Sequence, residues 1–123
     1  MVDIKEFFKR DKFAEHCGME LVDVSPGSAK AEMMVKKEHL NGLNTVHGGA
    51  LFTLADLAFG AAANSYGMAT MAINVSITYM TAVTKGKVTA VAREVSRNPK
   101  LSTYTIDIFN DEGELVAVFQ GLA

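Results

Sequence analysis

The sequence predicts an α+β domain in which an antiparallel β-sheet wraps around one central α-helix. Two observations carry this. The stretch 50–63 is apolar on every side, interrupted only by Thr53 and Asp56, and a helix that is hydrophobic all round is a buried helix. Around it lie segments that alternate apolar and polar residues with period 2, as half-buried strands do. An antiparallel sheet must bury its apolar face against something, and a helix over residues 50–65 is the only element large and apolar enough. It is too short for a membrane span, and the carboxylate in its middle argues further against one.

Taken in order, residues 3–17 read as one or two short amphipathic helices, with Ile4, Phe7, Phe8, Phe13 and Ala14 as their apolar side and Gly18 as a stop. His16 and Cys17 near that stop read as structural. Met19–Val24 is a first strand. Ser25-Pro26-Gly27-Ser28 is a turn, with Pro suited to its second position and Gly to its third. Residues 29–35 alternate, Ala29, Ala31, Met33 and Val35 against Lys30, Glu32 and Lys36. Lys36-Lys37-Glu38 reads as a solvated loop. The helix follows, rich in Ala and Leu, and Tyr66-Gly67 ends it. Gly60-Ala61-Ala62-Ala63 would let strands approach closely. From Met71 the odd positions Ile73, Val75, Ile77 and Tyr79 share one face, with Asn74, Ser76 and Thr78 on the other. Turns at 85–87, 97–100 and 110–113 separate strand-like runs at 88–95, around 103–108, and 115–119. Consecutive strands with short turns point to an antiparallel meander.

A chain of 123 residues supports one domain, residues 1–123. About half of it is hydrophobic (49%), which is globular composition. The net charge of −2 gives no footprint for nucleic acid. The N-terminal residues are charged throughout, with no signal-peptide core. Cys17 is the only cysteine, so no intrachain disulfide forms, and a lone thiol without an export signal fits a reducing cytoplasm. His16, His39 and His47 form no metal-spaced pair, so no metal is expected.

The chemistry gathers at 41–56. His47-Gly48-Gly49 opens the helix, where the first N–H groups have no intrahelical partner and the dipole is positive. Glycine there lets another molecule approach the backbone. Such a place binds an anion, or an oxygen that becomes one in a transition state. Eight residues after Gly48, Asp56 is the only ionisable group within the helix. A carboxylate expected to be buried is costly unless paired, and such groups often mark sites.

Leu40-Asn41-Gly42, then His47-Gly48-Gly49, then Leu54-Ala55-Asp56, and on through 73–80 to the last strands, resembles a hotdog-fold acyl-CoA thioesterase. The likeness is to the phenylacetyl-CoA thioesterase branch of the hydroxybenzoyl-CoA thioesterase superfamily. The resemblance implies a hotdog fold and hydrolysis of an aryl-acetyl, aroyl or medium-chain acyl-CoA. It favours Gly48 as the oxyanion donor, and by analogy it implies a dimer of dimers. In such a hydrolase Asp56 would be nucleophile or general base. His47 would position the thioester or polarise its carbonyl, and Asn41 would hold the attacking water or the loop. Gly49 joins the binding set. No metal or redox cofactor is needed, coenzyme A being part of the substrate.

A helix rises ~1.5 Å per residue, which puts Asp56 on the order of 12 Å from the Gly48 N–H. The attacking oxygen must come within ~3.5 Å of the carbon whose oxygen that donor binds. The site is therefore expected to be shared, Gly48 from one chain and Asp56 from its neighbour, so that a homodimer is required. The CoA phosphates need cations. Lys85, Lys87, Arg93, Arg97 and Lys100 are candidates, with Arg97 and Lys100 preferred, each weighed against ordinary surface charge. Asn74 and Ser76 are candidates for the thioester region, with interface packing as the alternative. Two other functions compete: a hotdog dehydratase or hydratase, and a non-catalytic acyl-CoA binding module.

Overall fold

The computed structural model describes residues 4–8 and 11–123, with the backbone alone at Ile4. Two short helices come first, α1 (Ile4–Phe8) and α2 (Lys12–His16). Asp11 opens α2 by accepting from the Ala14 N–H at 3.0 Å, as N-cap aspartates do. Residues 3, 9 and 10 of the expected helical segment, and the side chain of Ile4, lie outside the described residues. Of the apolar side expected here, Ala14 is buried and Phe8 half-buried, while Phe7 and Phe13 are exposed.

Six strands follow: β1 (Met19–Ser25), β2 (Ser28–Met34), β3 (Asn74–Tyr79), β4 (Lys87–Arg97), β5 (Ser102–Phe109) and β6 (Leu115–Leu122). Gly27, at φ +76°, makes the β1–β2 turn. All pairings are antiparallel, in the order β1-β2-β4-β5-β6-β3. The simple meander holds for β4-β5-β6 but fails at β3. That strand crosses to the far edge and pairs with β6 along its length, from Asn74↔Leu122 to Tyr79↔Ala117. The run of alternation starting at Met71 overshoots the strand, and Met71 and Ile73 are exposed.

The helix α3 (Gly48–Ala63) lies in the concavity of this sheet. It starts two residues before the apolar run and stops short of Tyr66. Asn64 caps it, its amide donating to the Gly60 carbonyl at 2.8 Å. The core joins Leu51, Leu54, Ala58, Phe59 and Ala62 of α3 to the inner rows Ala31/Met33, Val88/Ala90/Ala92, Tyr104/Ile106/Ile108 and Ala117/Phe119. Gly121 is required at its place in β6, because a Cβ there would sit 2.6 Å from the Phe59 ring. This helix inside a curled antiparallel sheet is the hotdog fold.

The helix is not buried all round. Gly49, Thr53, Asp56 and Gly60, spaced four, three and four residues apart, form a stripe that the sheet leaves uncovered, with Asp56 exposed. The expectation of a buried carboxylate is corrected on this point. The apolar composition hid the stripe, since small residues such as glycine mark no polar face. Phe8 covers its Gly60 end, its ring 3.1 Å from where a Cβ would stand.

The segment expected as a solvated loop at 36–38 is exposed, and part of it is ordered as one short turn. Residues Lys37–His39 form a 3₁₀ turn, and His39 is buried. Among the described residues, no helix is long and apolar enough to cross a membrane.

Candidate active site

The loop 40–47 is drawn closed by its own side chains. Asn41 Oδ1 accepts from the backbone N–H groups of Leu43 (2.9 Å) and Thr45 (3.2 Å), and its amide donates to Thr45 Oγ1 at 3.0 Å. Asn41 is thus used in holding the loop. A Leu40↔Val46 bridge closes the neck, and the Val46 N–H donates to the Val83 carbonyl at 2.8 Å. The loop therefore delivers His47 to the mouth of α3 at a fixed angle.

His47 is the N-cap. Its Nδ1 accepts from the Gly49 N–H at 2.8 Å. A backbone N–H can only donate, so in neutral His47 the proton sits on Nε2. The His47 carbonyl takes the N–H groups of Ala50 and Leu51. Among the described residues, this leaves the Gly48 N–H as the first-turn donor without an acceptor. The side chain of His47 is exposed, so Nε2–H and the Gly48 N–H are two donors at one helix end.

Tyr79 completes this end, and nothing in the alternation of 71–79 singled it out. Its hydroxyl donates to the Gly48 carbonyl at 2.9 Å. Its ring stands 3.0 Å from where a Gly48 Cβ would be, so a side chain at position 48 would crowd it. Burial pushes the Tyr79 phenol above its ordinary range, keeping it a donor. Beside it lies a groove of about 350 Å³ lined by Gly48, Leu51, Tyr79, Met80 and Val83 among others.

Asp56 stands on the uncovered stripe, two turns along the same helix. Its carboxyl is pushed above the usual aspartate range, first by partial desolvation against the protein around it, then by the negative charge of Asp11. The desolvation comes from its flanks, since the carboxylate itself still reaches solvent. Next to the stripe, under α1 and α2, is a larger cavity of about 460 Å³ lined by Phe8, Asp11, Ala14, Met19, Leu21 and Leu57 among others. One chain therefore brings together Asn41, His47, Gly48 and Gly49, and keeps Asp56 away from them by the length of helix between.

The remaining candidates lie elsewhere. Asn74 and Ser76 stand on the outer face of β3, opposite the half-buried Val75 and Ile77. With Thr103, Thr105, Gln120, Val95 and Leu122 they line a mixed groove of about 350 Å³. Five strand residues, about 17 Å, separate Asn74 from Tyr79. Arg97 lies over the Tyr66 ring at 3.7 Å, beyond the far end of α3. Lys100 and Lys85 are exposed in turns, as is Arg93 on β4. Lys87 pairs with Glu32 at 3.3 Å.

A family model described as the thioesterase superfamily matches residues 43–117, which include the helix mouth, Asp56 and most of the sheet. This chain belongs to the thioesterase superfamily. It is a thioester hydrolase of the PaaI-like branch. A protein of Archaeoglobus fulgidus is 45% identical over 96% of this chain and 78% of its own length. The acyl-coenzyme A thioesterase PaaI of Escherichia coli is 34% identical over 93% of this chain and 82% of its own. The solved structure of the E. coli PaaI protein, from its phenylacetic acid degradation operon, superposes with a TM-score of 0.91 at 32% identity, covering 95% of this thioesterase and 86% of that chain. A variant of the phenylacetic acid degradation protein PaaI from Thermus thermophilus gives 0.87 at 34% identity, covering 91% and 96%.

Proposed function

We propose that this thioesterase hydrolyses the thioester of an acyl-CoA, with an aryl-acetyl, aroyl or medium-chain acyl group, at a site shared between two chains. The observation that carries the reading is the helix mouth. Among the described residues one first-turn donor, the Gly48 N–H, is left over when its neighbours are bonded. It lies beside an exposed imidazole whose Nδ1 is already committed. The Gly48 N–H receives the oxygen of the thioester carbonyl as it becomes anionic, and His47 Nε2–H polarises or positions the same carbonyl. Asp56 of the neighbouring chain attacks the carbonyl carbon, the CoA thiolate leaves and water then hydrolyses the anhydride, or Asp56 takes a proton from water as it attacks and the CoA thiolate leaves. Asn41 holds the loop that sets this geometry, and Gly49 keeps the backbone accessible. The chemistry asks for no metal or redox group. A cytoplasmic location fits a CoA ester as substrate.

A second chain is needed because Gly48 and Asp56 share one helix. The free edge of β3 supports such an association. Its outer edge carries unpaired backbone groups, and exposed Met68, Met71, Ile73, Tyr79 and Met80 flank it. An unprotected edge of this kind is a template for pairing. We extend the assembly to a tetramer on the resemblance alone. Asn74 and Ser76 belong to the substrate-binding set at the joined edges, and Arg97 and Lys100 hold the CoA phosphates.

The test is complementation, read by release of CoA thiol from a panel of acyl-CoA esters. His47→Ala and Asp56→Asn homodimers should each be impaired at least about tenfold. Refolding the two variants together makes about half the dimers mixed, and each of these has one intact site of two. Activity should then return to roughly a quarter of wild type by the symmetry of the interface. Activity no higher than the mean of the two variants would show that each chain carries its own complete site.

A further inference from the structure

We propose that His39 is a positioning residue of this enzyme, a neutral imidazole that clamps the neck of the 40–47 loop and so fixes where His47 and the Gly48 N–H point. His39 is 6% exposed, and all its polar atoms have defined partners. Its Nδ1 accepts from the Lys36 N–H at 2.8 Å, and its Nε2 lies 2.6 Å from the Cys17 carbonyl oxygen. The backbone N–H of His39 donates to the Lys36 carbonyl at 2.9 Å, and its carbonyl accepts from the His47 N–H at 2.7 Å.

The partners settle the tautomer. Lys36 can only donate and the Cys17 carbonyl can only accept, so the ring carries its single proton on Nε2. The ring thus ties the end of α2 to the end of β2, while the same residue's carbonyl holds the first residue of the catalytic turn. A second proton would have to go onto Nδ1. It would then face the Lys36 N–H, donor against donor, and that bond would be lost. The titratable and charged groups around the ring are His16 and Cys17 from the end of α2, and Lys36 and Glu38 from its own turn. The Lys36 ammonium, 3.6 Å from where a Cβ of Gly18 would stand, adds a cation on this side. Releasing the ring frees the neck, and the His47–Gly48 donors lose their fixed direction without any group that touches substrate being removed.

The inference rests on the assignment of His47 and Gly48 to the reaction, and the experiment separates the two. His39→Ala removes both ring bonds. His39→Asn keeps an acceptor near the place of Nδ1 and does not ionise. His39→Ala should lower kcat roughly tenfold or more with KM within about twofold, as loss of positioning does. His39→Asn should restore most of the lost kcat. Wild-type kcat in His39→Ala, or equal losses in the Ala and Asn variants, would overturn the proposal. Should His39→Ala fail to fold, His39→Gln, which keeps a donor near the place of Nε2 and gives up the Nδ1 acceptor, decides in its stead, and a wild-type kcat there overturns the proposal. His47→Ala is the control. If His47→Ala is fully active, the reading of the site has failed; if it is impaired while His39→Ala is not, only the role of His39 has failed.

Discussion

The two ends of α3 are built in opposite ways. At the C-terminal end side chains fold back onto the helix backbone. Asn64 N–H and its side-chain amide both reach the Gly60 carbonyl, and Ser65 N–H and Oγ both reach the Ala62 carbonyl. Ser65 Oγ in turn accepts from the Gly27 N–H at 2.8 Å, which ties the helix end to the β1–β2 turn. Tyr66 donates to Glu94 at 3.1 Å and carries Arg97 on its ring. At the N-terminal end the Gly48 N–H is left, among the described residues, without an acceptor. A donor left open at a helix end costs stability and is free to receive a ligand; side-chain caps do the reverse. Substitutions at the helix mouth and at Asp56, its proposed partner, should therefore change turnover while the fold persists, and those at the C-terminal end should do the opposite.

The largest effect expected is at Asp56. Asp56→Asn preserves shape and should lower kcat by about a hundredfold or more. It should also raise the melting temperature at neutral pH. The folded chain holds this carboxyl above the usual aspartate range, so ionising it opposes folding. That penalty is present above the folded-state pKa and absent at pH values low enough to protonate the group in both states. The gain in the Asn variant should therefore vanish in acid, and a gain that persists there would show that the charge is not its source. In the wild type, the acid limb of kcat should lie above the ordinary aspartate range.

The C-terminal end is probed by Gly27→Ala. Gly27 has φ +76°, and a Cβ there would stand 2.9 Å from the Tyr66 hydroxyl and 3.3 Å from Glu94 Cβ. The left-handed backbone and the crowding together should cost about 2 kcal/mol in denaturant unfolding. The kcat of the folded fraction should stay at the wild-type value; a tenfold loss of kcat at full folding would erase the distinction between the two ends.

The smallest effect sharpens the helix mouth. Tyr79→Phe keeps the ring against Gly48 and removes only the bond to its carbonyl. One such bond contributes about 1 kcal/mol to stability, so the unfolding midpoint should fall slightly, and kcat should fall at most roughly fivefold with KM little changed. A larger change in KM than in kcat would move Tyr79 from holding the helix mouth to binding the acyl group.

The alternation of 29–35, with Ala31 and Met33 in the core and Lys30 exposed, was legible because period 2 is a local property of the strand. The glycines and small residues of the helix, the turn at 25–28 and the donors at His47-Gly48-Gly49 were legible for the same reason: each depends on neighbours in the chain. So was the separation of Asp56 from Gly48, which follows from helical rise alone. The crossing of β3 to the far edge was not, since pairing with β6 joins residues more than 35 apart in sequence and no local pattern encodes it. Nor was the uncovered stripe that exposes Asp56, because which face of an all-apolar helix lacks a partner depends on how far the sheet curls. The burial of His39 beside Lys36-Lys37-Glu38, and the meeting of Tyr79 with Gly48 across 31 residues, were decided in the same way. The sequence by itself determined the elements and the chemistry at the helix mouth. The tertiary structure alone decided which groups stand together and which face solvent, because those depend on contacts between segments that composition and periodicity cannot order.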